Sequence, residues 1–390
     1  MKKPKNLIPY GTQWIEAGEI AKVVDVLESD WLSPGPQLDE FEIAFAKYCG
    51  SEFAVAFSSG TAALHGAMFA AGVKSGDEGV TSSFSWVASA NCIKYQDGTP
   101  IFCDIDSETM NMSPRSLESV LSLKTKVIVP VHFAGVPCPM REINQLASKV
   151  GSIVVEDAAH ALGSSYEGEK IGNCKYSDMT CFSFHPVKII TTGEGGMVTT
   201  NNPTYRDALL RFRTQGVIRN NENIFPDEGP WYFEMDDLGF NYRMTNFQAA
   251  IGIEQLKRIE CFLSRRQEIR NEYDIALKDL YGITIPTVPK DCVSSYHLYV
   301  IRLDLKHLIY GQKEIFGRLR EKGLGVQVHY PPIHLQPYYR RTFGYGSGQL
   351  PETEKTYARV ISLPIFPKMS RWEVEYVVDV VKSVVNEASR

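Results

Sequence analysis

Residues 126–161 decide the fold. They read Lys126-Val127-Ile128-Val129-Pro130-Val131, then Met140-Arg141-Glu142-Ile143-Asn144-Gln145-Leu146-Ala147-Ser148-Lys149, then Ser152-Ile153-Val154-Val155-Glu156-Asp157-Ala158-Ala159-His160-Ala161. The first and third runs are rich in β-branched residues and apolar without alternation, as in strands buried on both faces. The middle run has apolar residues at helical spacing and predicts a helix over 140–149. Strand, helix and strand at this separation form a βαβ unit, so the sheet is parallel here.

The same rhythm extends in both directions. Strands are predicted at 53–57, 80–84, 100–104, 179–184 and 196–200, and helices at 61–71, 86–95 and 114–121, after two amphipathic segments at 16–29 and 38–48. Beyond residue 200 the pattern changes. Helices are predicted at 203–214, 246–273, 313–322 and 371–387, with strands at 296–303 and 326–330. The expected fold class is α/β: a large domain with a mostly parallel sheet over 1–255 and a smaller C-terminal α/β domain over 256–390.

The 390 residues are 44% hydrophobic and 22% charged, which excludes a disordered, collagen-like or coiled-coil chain. Lys plus Arg is 41 against 46 for Asp plus Glu, a net charge of −5 that offers no broad surface for nucleic acid. No apolar run is long enough to span a bilayer, and Met1-Lys2-Lys3-Pro4-Lys5-Asn6 is not followed by the apolar core of a secretory signal. None of the eight cysteines forms a Cys-x-x-Cys pair, and no His/Glu spacing suits a metal, so no metal site is expected. The expected location is cytoplasmic.

Ligands of open parallel sheets collect at the carboxyl ends of the strands. There the sequence places three features. Ser58-Ser59-Gly60-Thr61-Ala62-Ala63-Leu64 follows strand 53–57, and a glycine at a helix N-terminus leaves backbone N–H groups open to an anion such as phosphate. Asp157 ends a buried strand and needs a partner; a helix cap or a protonated heterocyclic nitrogen would serve. Lys188, in Phe184-His185-Pro186-Val187-Lys188, lies between an apolar strand and Thr192-Gly193-Glu194-Gly195-Gly196, where burial favours a neutral nucleophilic amine. Ser183 and Ser177 add hydroxyls, and Trp86 a flat ring. A phosphate cup, a stacking ring, a carboxylate for a pyridine nitrogen and a Schiff-base lysine together suit pyridoxal phosphate.

These motifs resemble the DegT/StrS-type sugar aminotransferases, a branch of the fold-type I (aspartate-aminotransferase-like) superfamily. The likeness runs along almost the whole chain. It includes Leu32-Ser33-Pro34-Gly35-Pro36, Pro130-Val131-His132-Phe133-Ala134-Gly135, Glu156-Asp157-Ala158-Ala159-His160-Ala161-Leu162-Gly163, Gly239-Phe240-Asn241-Tyr242-Arg243-Met244 and His329-Tyr330-Pro331-Pro332-Ile333-His334. The resemblance implies Lys188 as the catalytic lysine, Asp157 as the pyridinium partner, Trp86 as the stacking ring and His160 at the cofactor's phenolic oxygen. Gly60, Thr61 and Ser183 would hold the phosphate, reached by Asn241 from a second subunit, so a homodimer with a shared site is implied. Within the family the likeness is to the UDP-4-amino-4,6-dideoxy-N-acetyl-β-L-altrosamine transaminases of pseudaminic acid synthesis. That implies a nucleotide-sugar substrate and an amino-acid donor, glutamate, with Tyr10, Asp30, Trp31, Leu32, Ser33, His185, Gln327, Val328, His329 and Tyr330 around the sugar nucleotide. The diphosphate needs local cations, and Arg211, Arg213, Arg219 and Arg243 are the candidates, Arg243 first. Two alternatives stay open: another nucleotide-sugar aminotransferase, of the 4-amino-4-deoxy-arabinose or perosamine type, and a regulatory relative without catalysis.

Overall fold

The structure, a computed structural model, describes residues 4–219, 229 and 231–389. Its centre is a seven-stranded sheet of β1 (Phe53–Phe57), β2 (Glu78–Ser82), β3 (Thr99–Cys103), β4 (Thr125–Val129), β5 (Ile153–Asp157), β6 (Met179–Ser183) and β7 (Gly196–Thr200), in the spatial order β1-β7-β6-β5-β4-β2-β3. Neighbours pair in parallel except at β7, which runs antiparallel to both β1 and β6. The α/β class with a mostly parallel sheet is therefore as the sequence predicts.

The apolar runs lack alternation because each strand feeds two cores. Ala54, Ala56, Ile128 and Val154 pack into the core on one face. Val55, Phe57, Val127, Val129 and Val155 pack into the core on the other. On the first face α2 (Pro36–Cys49) packs through Leu38, Phe41 and Phe45, and α1 (Ala17–Leu27), which precedes it, lies against the helix that begins at Asn246. The helices α3 (Gly60–Ala70), α4 (Ala88–Tyr95), α5 (Pro114–Val120) and α6 (Met140–Val150) are the crossovers between consecutive strands, and α7 (Pro203–Phe212) follows β7. Gly151 ends α6 in the left-handed region at φ 70°, where a side chain would clash with the following carbonyl.

The predicted single helix over 246–273 is instead two: α8 (Asn246–Lys257) and α9 (Ile259–Leu277). Arg258 between them has φ −102° and ψ 2°. Its guanidinium reaches Glu16 at 3.0 Å and Glu19 at 2.8 Å and lies 5.1 Å from the Trp14 ring, so distant partners fix the break. A second core forms around an antiparallel sheet of Ile283–Thr284, Tyr299–Leu303 and Val360–Leu363, covered by α9, α10 (Gln312–Glu321) and the helix Arg371–Ala388. Ile8 packs in that core too, because Ile8–Pro9 pairs with Leu324–Gly325.

The predicted strand over 326–330 is not one. Only Gln327 bridges to Ser362; Val328, His329 and Tyr330 run on irregularly and turn side chains toward the large sheet. Glu156 faces away from the cavity, as its alternation with Asp157 requires. It takes His132 Nε2 at 2.6 Å, Ser177 Oγ at 2.5 Å and Thr180 Oγ1 at 2.9 Å. Burial opposes its charge, but these bonds overcome that and hold its carboxyl below the usual range. Ser177 is thus spent on structure and supplies nothing to the cavity. No helix among the described residues is long and apolar enough to cross a membrane.

Candidate active site

Because β7 is antiparallel to β1 and β6, its first residue, Gly196, pairs with the last residues of both, Phe57 and Ser183. The carboxyl ends of β1, β2, β5 and β6 therefore share one sheet edge. A cavity of about 550 Å³ opens there. Its walls hold Tyr10, Gly60, Thr61, Trp86, Asp157, His160, Ser183, His185, Lys188, Gln327, Val328, His329 and Tyr330, so these predicted residues do come together.

Lys188 sits on the loop between β6 and β7. The neck of this loop is closed by Phe184 N–H to Gly195 O at 2.8 Å, Thr192 N–H to Phe184 O at 3.1 Å and Thr191 Oγ1 to Phe184 O at 2.9 Å. The lysine makes no side-chain hydrogen bond or ion pair among the described residues. Burial lowers its pKa to about 8, with the Asp157 carboxylate acting in the opposite direction. Asp157 accepts from Ser89 Oγ at 2.7 Å and from the Ala159 N–H at 3.1 Å. Ser89, on α4, stands three residues after Trp86, the only local feature of the sequence that ties it to the cavity.

The anion cup also forms. Ser59 caps α3, its Oγ accepting the Ala62 N–H at 3.1 Å. The N–H groups of Gly60 and Thr61 have no partner among the described residues. Glycine is required at 60 because a Cβ there would stand 2.8 Å from Ser183 Cβ, so Ser183 closes the cup's other side.

Opposite the cup lies the 327–331 segment. His329 Nδ1 bonds Ser362 Oγ at 2.8 Å, and its ring centre is 5.2 Å from that of Tyr10. Burial, helped by Lys188, pushes its pKa down to about 3. Both ring nitrogens of His160 are engaged by the protein: Nδ1 takes the Ala134 N–H at 3.3 Å and Nε2 meets Tyr330 Oη at 3.1 Å. Trp86 is 60% exposed on the lip, a large apolar ring left uncovered by the fold. His334 is structural, bonded to Ser83 Oγ at 2.7 Å and Glu354 at 3.1 Å. Among the described residues no three His, Cys, Asp or Glu side chains group as a metal site requires.

The remaining predicted residues do not reach this cavity within one chain. Asp30, Trp31, Leu32 and Ser33 are exposed on the loop before α2, which Asn246 pins by bonding Trp31 O at 2.9 Å and the Gln37 N–H at 2.9 Å. Asn241 is exposed, and Arg243 Nε is buried without a hydrogen-bond partner among the described residues. Arg211 is held by Asp237 at 2.9 Å. The side chain of Arg219 lies outside the described residues. Arg213 is buried, paired with Glu42 and bonded to Ala56 O at 2.8 Å. Arg213→Ala is therefore expected to lower stability by about 3 kcal/mol, since it strands a largely buried Glu42. It should leave the KM for any sugar nucleotide unchanged. Denaturant unfolding and steady-state kinetics check the two halves.

Comparisons with known proteins agree with this geometry. The profile of the DegT/DnrJ/EryC1/StrS aminotransferase family matches residues 13–382. The spore coat polysaccharide biosynthesis protein SpsC of Bacillus subtilis is 38% identical over 389 residues, covering all of both chains. The PMP form of the putative sugar aminotransferase Spr1654 of Streptococcus pneumoniae superposes with a TM-score of 0.91 at 30% identity, over 97% of this chain and 99% of that one. Helicobacter pylori PseC, an aminotransferase of pseudaminic acid biosynthesis, gives a TM-score of 0.90 at 29% identity, over 98% and 100%. A lysine of lowered pKa, a buried carboxylate and an anion cup on one sheet edge, in a chain matched from end to end, leave one assignment: the chain belongs to the DegT/DnrJ/EryC1/StrS aminotransferase family and is a pyridoxal-phosphate-dependent sugar aminotransferase.

Proposed function

We propose that this enzyme moves an amino group from L-glutamate to carbon 4 of a UDP-linked 4-keto-6-deoxy sugar, the substrate class of pseudaminic acid synthesis. The observation that carries the reading is Lys188 and Asp157 facing one cavity whose other wall is Tyr10 and 327–330. The likeness to PseC supports the sugar. The likeness to SpsC favours a second reading, an amino sugar for a surface polysaccharide made by the same chemistry.

The residues fit pyridoxal phosphate. Gly60, Thr61 and Ser183 offer, for the phosphate, a hydroxyl and two N–H groups without a partner among the described residues, at a helix N-terminus. Asp157 has no cationic protein partner among the described residues, so its charge is available to a protonated ring nitrogen. Trp86 supplies an uncovered ring face. Bound there, the cofactor supplies an electron sink that makes the donor's α-proton removable.

Lys188 would hold the cofactor, and its neutral amine would serve as the acid and base that moves a proton at the donor and acceptor carbons. His185 and the 327–330 segment orient the sugar. Asn241, Arg243 and the exposed loop with Asp30, Trp31, Leu32 and Ser33 complete the site of a second copy, so the working unit is a homodimer. Arg243 serves the diphosphate.

The test is spectroscopic. Glutamate should bleach the yellow of the loaded enzyme, and one nucleotide-linked 4-keto sugar should restore it. UDP-, GDP- and dTDP-linked candidates are offered in turn, with mass spectrometry of the aminated product. Restoration by a UDP sugar is expected. Restoration only by a dTDP or GDP sugar overturns the UDP assignment, and no restoration by any of them overturns the keto-sugar reading.

A further inference from the structure

The Ala134 N–H can only donate, so His160 Nδ1, 3.3 Å away, can only accept. The ring's proton is then on Nε2. That atom lies 3.1 Å from Tyr330 Oη, so His160 donates and the phenol accepts. Tyr330 has no other hydrogen-bond partner among the described residues, and it lines the cavity. Its own O–H is therefore turned away from His160 and into the cavity.

The framework behind the imidazole holds this arrangement. Ala134 sits at φ 58° within the turn Phe133–Gly135, a conformation that a residue with a Cβ adopts only when its surroundings impose it. Buried Asn111 imposes it, accepting the Phe133 N–H at 2.9 Å and donating to Val136 O and Pro137 O at 2.9 and 3.0 Å. The His297 ring backs His160 at 4.4 Å, and Ser295 Oγ bonds the His160 carbonyl at 2.8 Å. Burial, with Lys188 and His329 nearby, keeps His160 uncharged, as its acceptor nitrogen demands.

We infer that His160 is a positioning residue that fixes Tyr330 as a hydrogen-bond donor into the cavity, toward an oxygen of whatever is bound beside Lys188. Two oxygens share that chemistry, the ring oxygen of the cofactor and the carbonyl oxygen of the amino acceptor. The inference rests on the proposed function only for the second. It replaces a direct His160 contact to the cofactor by one made through Tyr330.

A double-mutant cycle tests it, using wild type, Tyr330→Phe, His160→Ala and the double variant. His160→Gln is added, because its amide can still donate to Tyr330. Two quantities are read: the affinity of the apoprotein for pyridoxal phosphate by titration, and the rate of each half-reaction in single turnover. Tyr330→Phe is expected to weaken one of them about tenfold. His160→Ala should do the same to the same quantity, the double variant should be no worse than either single one, and His160→Gln should recover much of the loss. A loss in cofactor affinity names the ring oxygen, and a loss confined to the acceptor half-reaction names the carbonyl. Losses that multiply in the double variant overturn the inference, as does a Tyr330→Phe variant normal in both quantities. Nitrogen-15 NMR of His160 in the apoprotein gives a reading free of any substrate. A protonated Nε2 and bare Nδ1 are expected, and the opposite tautomer sinks the inference even if the sugar assignment stands. Failure of every keto sugar leaves this NMR result and the cofactor titration unaffected.

Discussion

Lys188→Ala is expected to lower turnover on the order of 10⁴-fold or more, because the proposed function gives this one amine both the covalent hold on the cofactor and the movement of the proton. General acid–base catalysis alone contributes roughly 10²–10⁴-fold. The fold should not suffer. Lys188 makes no side-chain hydrogen bond or ion pair among the described residues, and its amine is held in a wall where burial disfavours charge. Removing it leaves no partner stranded, so the melting temperature of the apoprotein should hold or rise. Borohydride should fix the cofactor to a peptide containing Lys188 in the wild type and to none in the variant. The pH dependence follows from the same amine. Only its neutral form attacks, and a pKa of about 8 makes roughly one amine in ten neutral at pH 7. The rate at which apoprotein captures pyridoxal phosphate should rise about tenfold per unit up to pH ~8 and flatten above it. A rate still climbing at pH 10 would mean an ordinary, solvated lysine and would remove the basis for this assignment.

What the sequence discloses and what it hides divide along physical lines. Strands such as 126–131 and 152–156 are legible because two-sided burial writes an unbroken apolar run into the chain. The glycines at 60, 193, 195 and 196 are legible because the backbone turns or approaches its neighbours closely where a strand meets the next element. The break at Arg258 is not. The 246–273 pattern continues through it, and its causes, Glu16 and Glu19, lie more than 230 residues away. The 326–330 segment misleads for the opposite reason. Val326-Gln327-Val328-His329-Tyr330 alternates as a strand would, but the backbone pairs only at Gln327 with Ser362, and the side chains of His329 and Tyr330 bond Ser362 Oγ and His160. The site is legible where a local run delivers a side chain to the sheet edge, as at Lys188 and Asp157, which both line the cavity. It is illegible where a distant residue decides the outcome: nothing near residue 157 points to Ser89, nor near residue 31 to Asn246, and Arg213, a candidate for the diphosphate, is committed to Glu42.

Asp157→Asn is expected to lower turnover by roughly 10²–10³-fold, the scale seen when one pre-aimed electrostatic partner is lost. The substitution separates charge from shape. Asparagine keeps an acceptor oxygen for Ser89 Oγ or the Ala159 N–H, which now lie 2.7 and 3.1 Å from the carboxylate. It cannot accept from both as well as a carboxylate does, and one lost bond should cost the apoprotein about 1 kcal/mol. That is small against the catalytic effect. A neutral amide cannot hold a positive charge on a ring nitrogen, so the electron sink fails even when the cofactor is in place. The phosphate cup and Lys188 are untouched by the change. Cofactor occupancy at saturating pyridoxal phosphate should therefore remain near that of the wild type while both half-reactions slow together. That pattern distinguishes the assignment from a structural role, in which turnover would fall only in step with occupancy or with melting temperature. Asp157→Glu should not rescue, because the added methylene carries the carboxylate away from the position that Ser89 Oγ and the Ala159 N–H now fix at 2.7 and 3.1 Å. An Asp157→Asn enzyme that turns over within twofold of the wild type would show that the carboxylate only ties α4 to β5, and the ring-nitrogen partner would have to be sought elsewhere on the cavity wall.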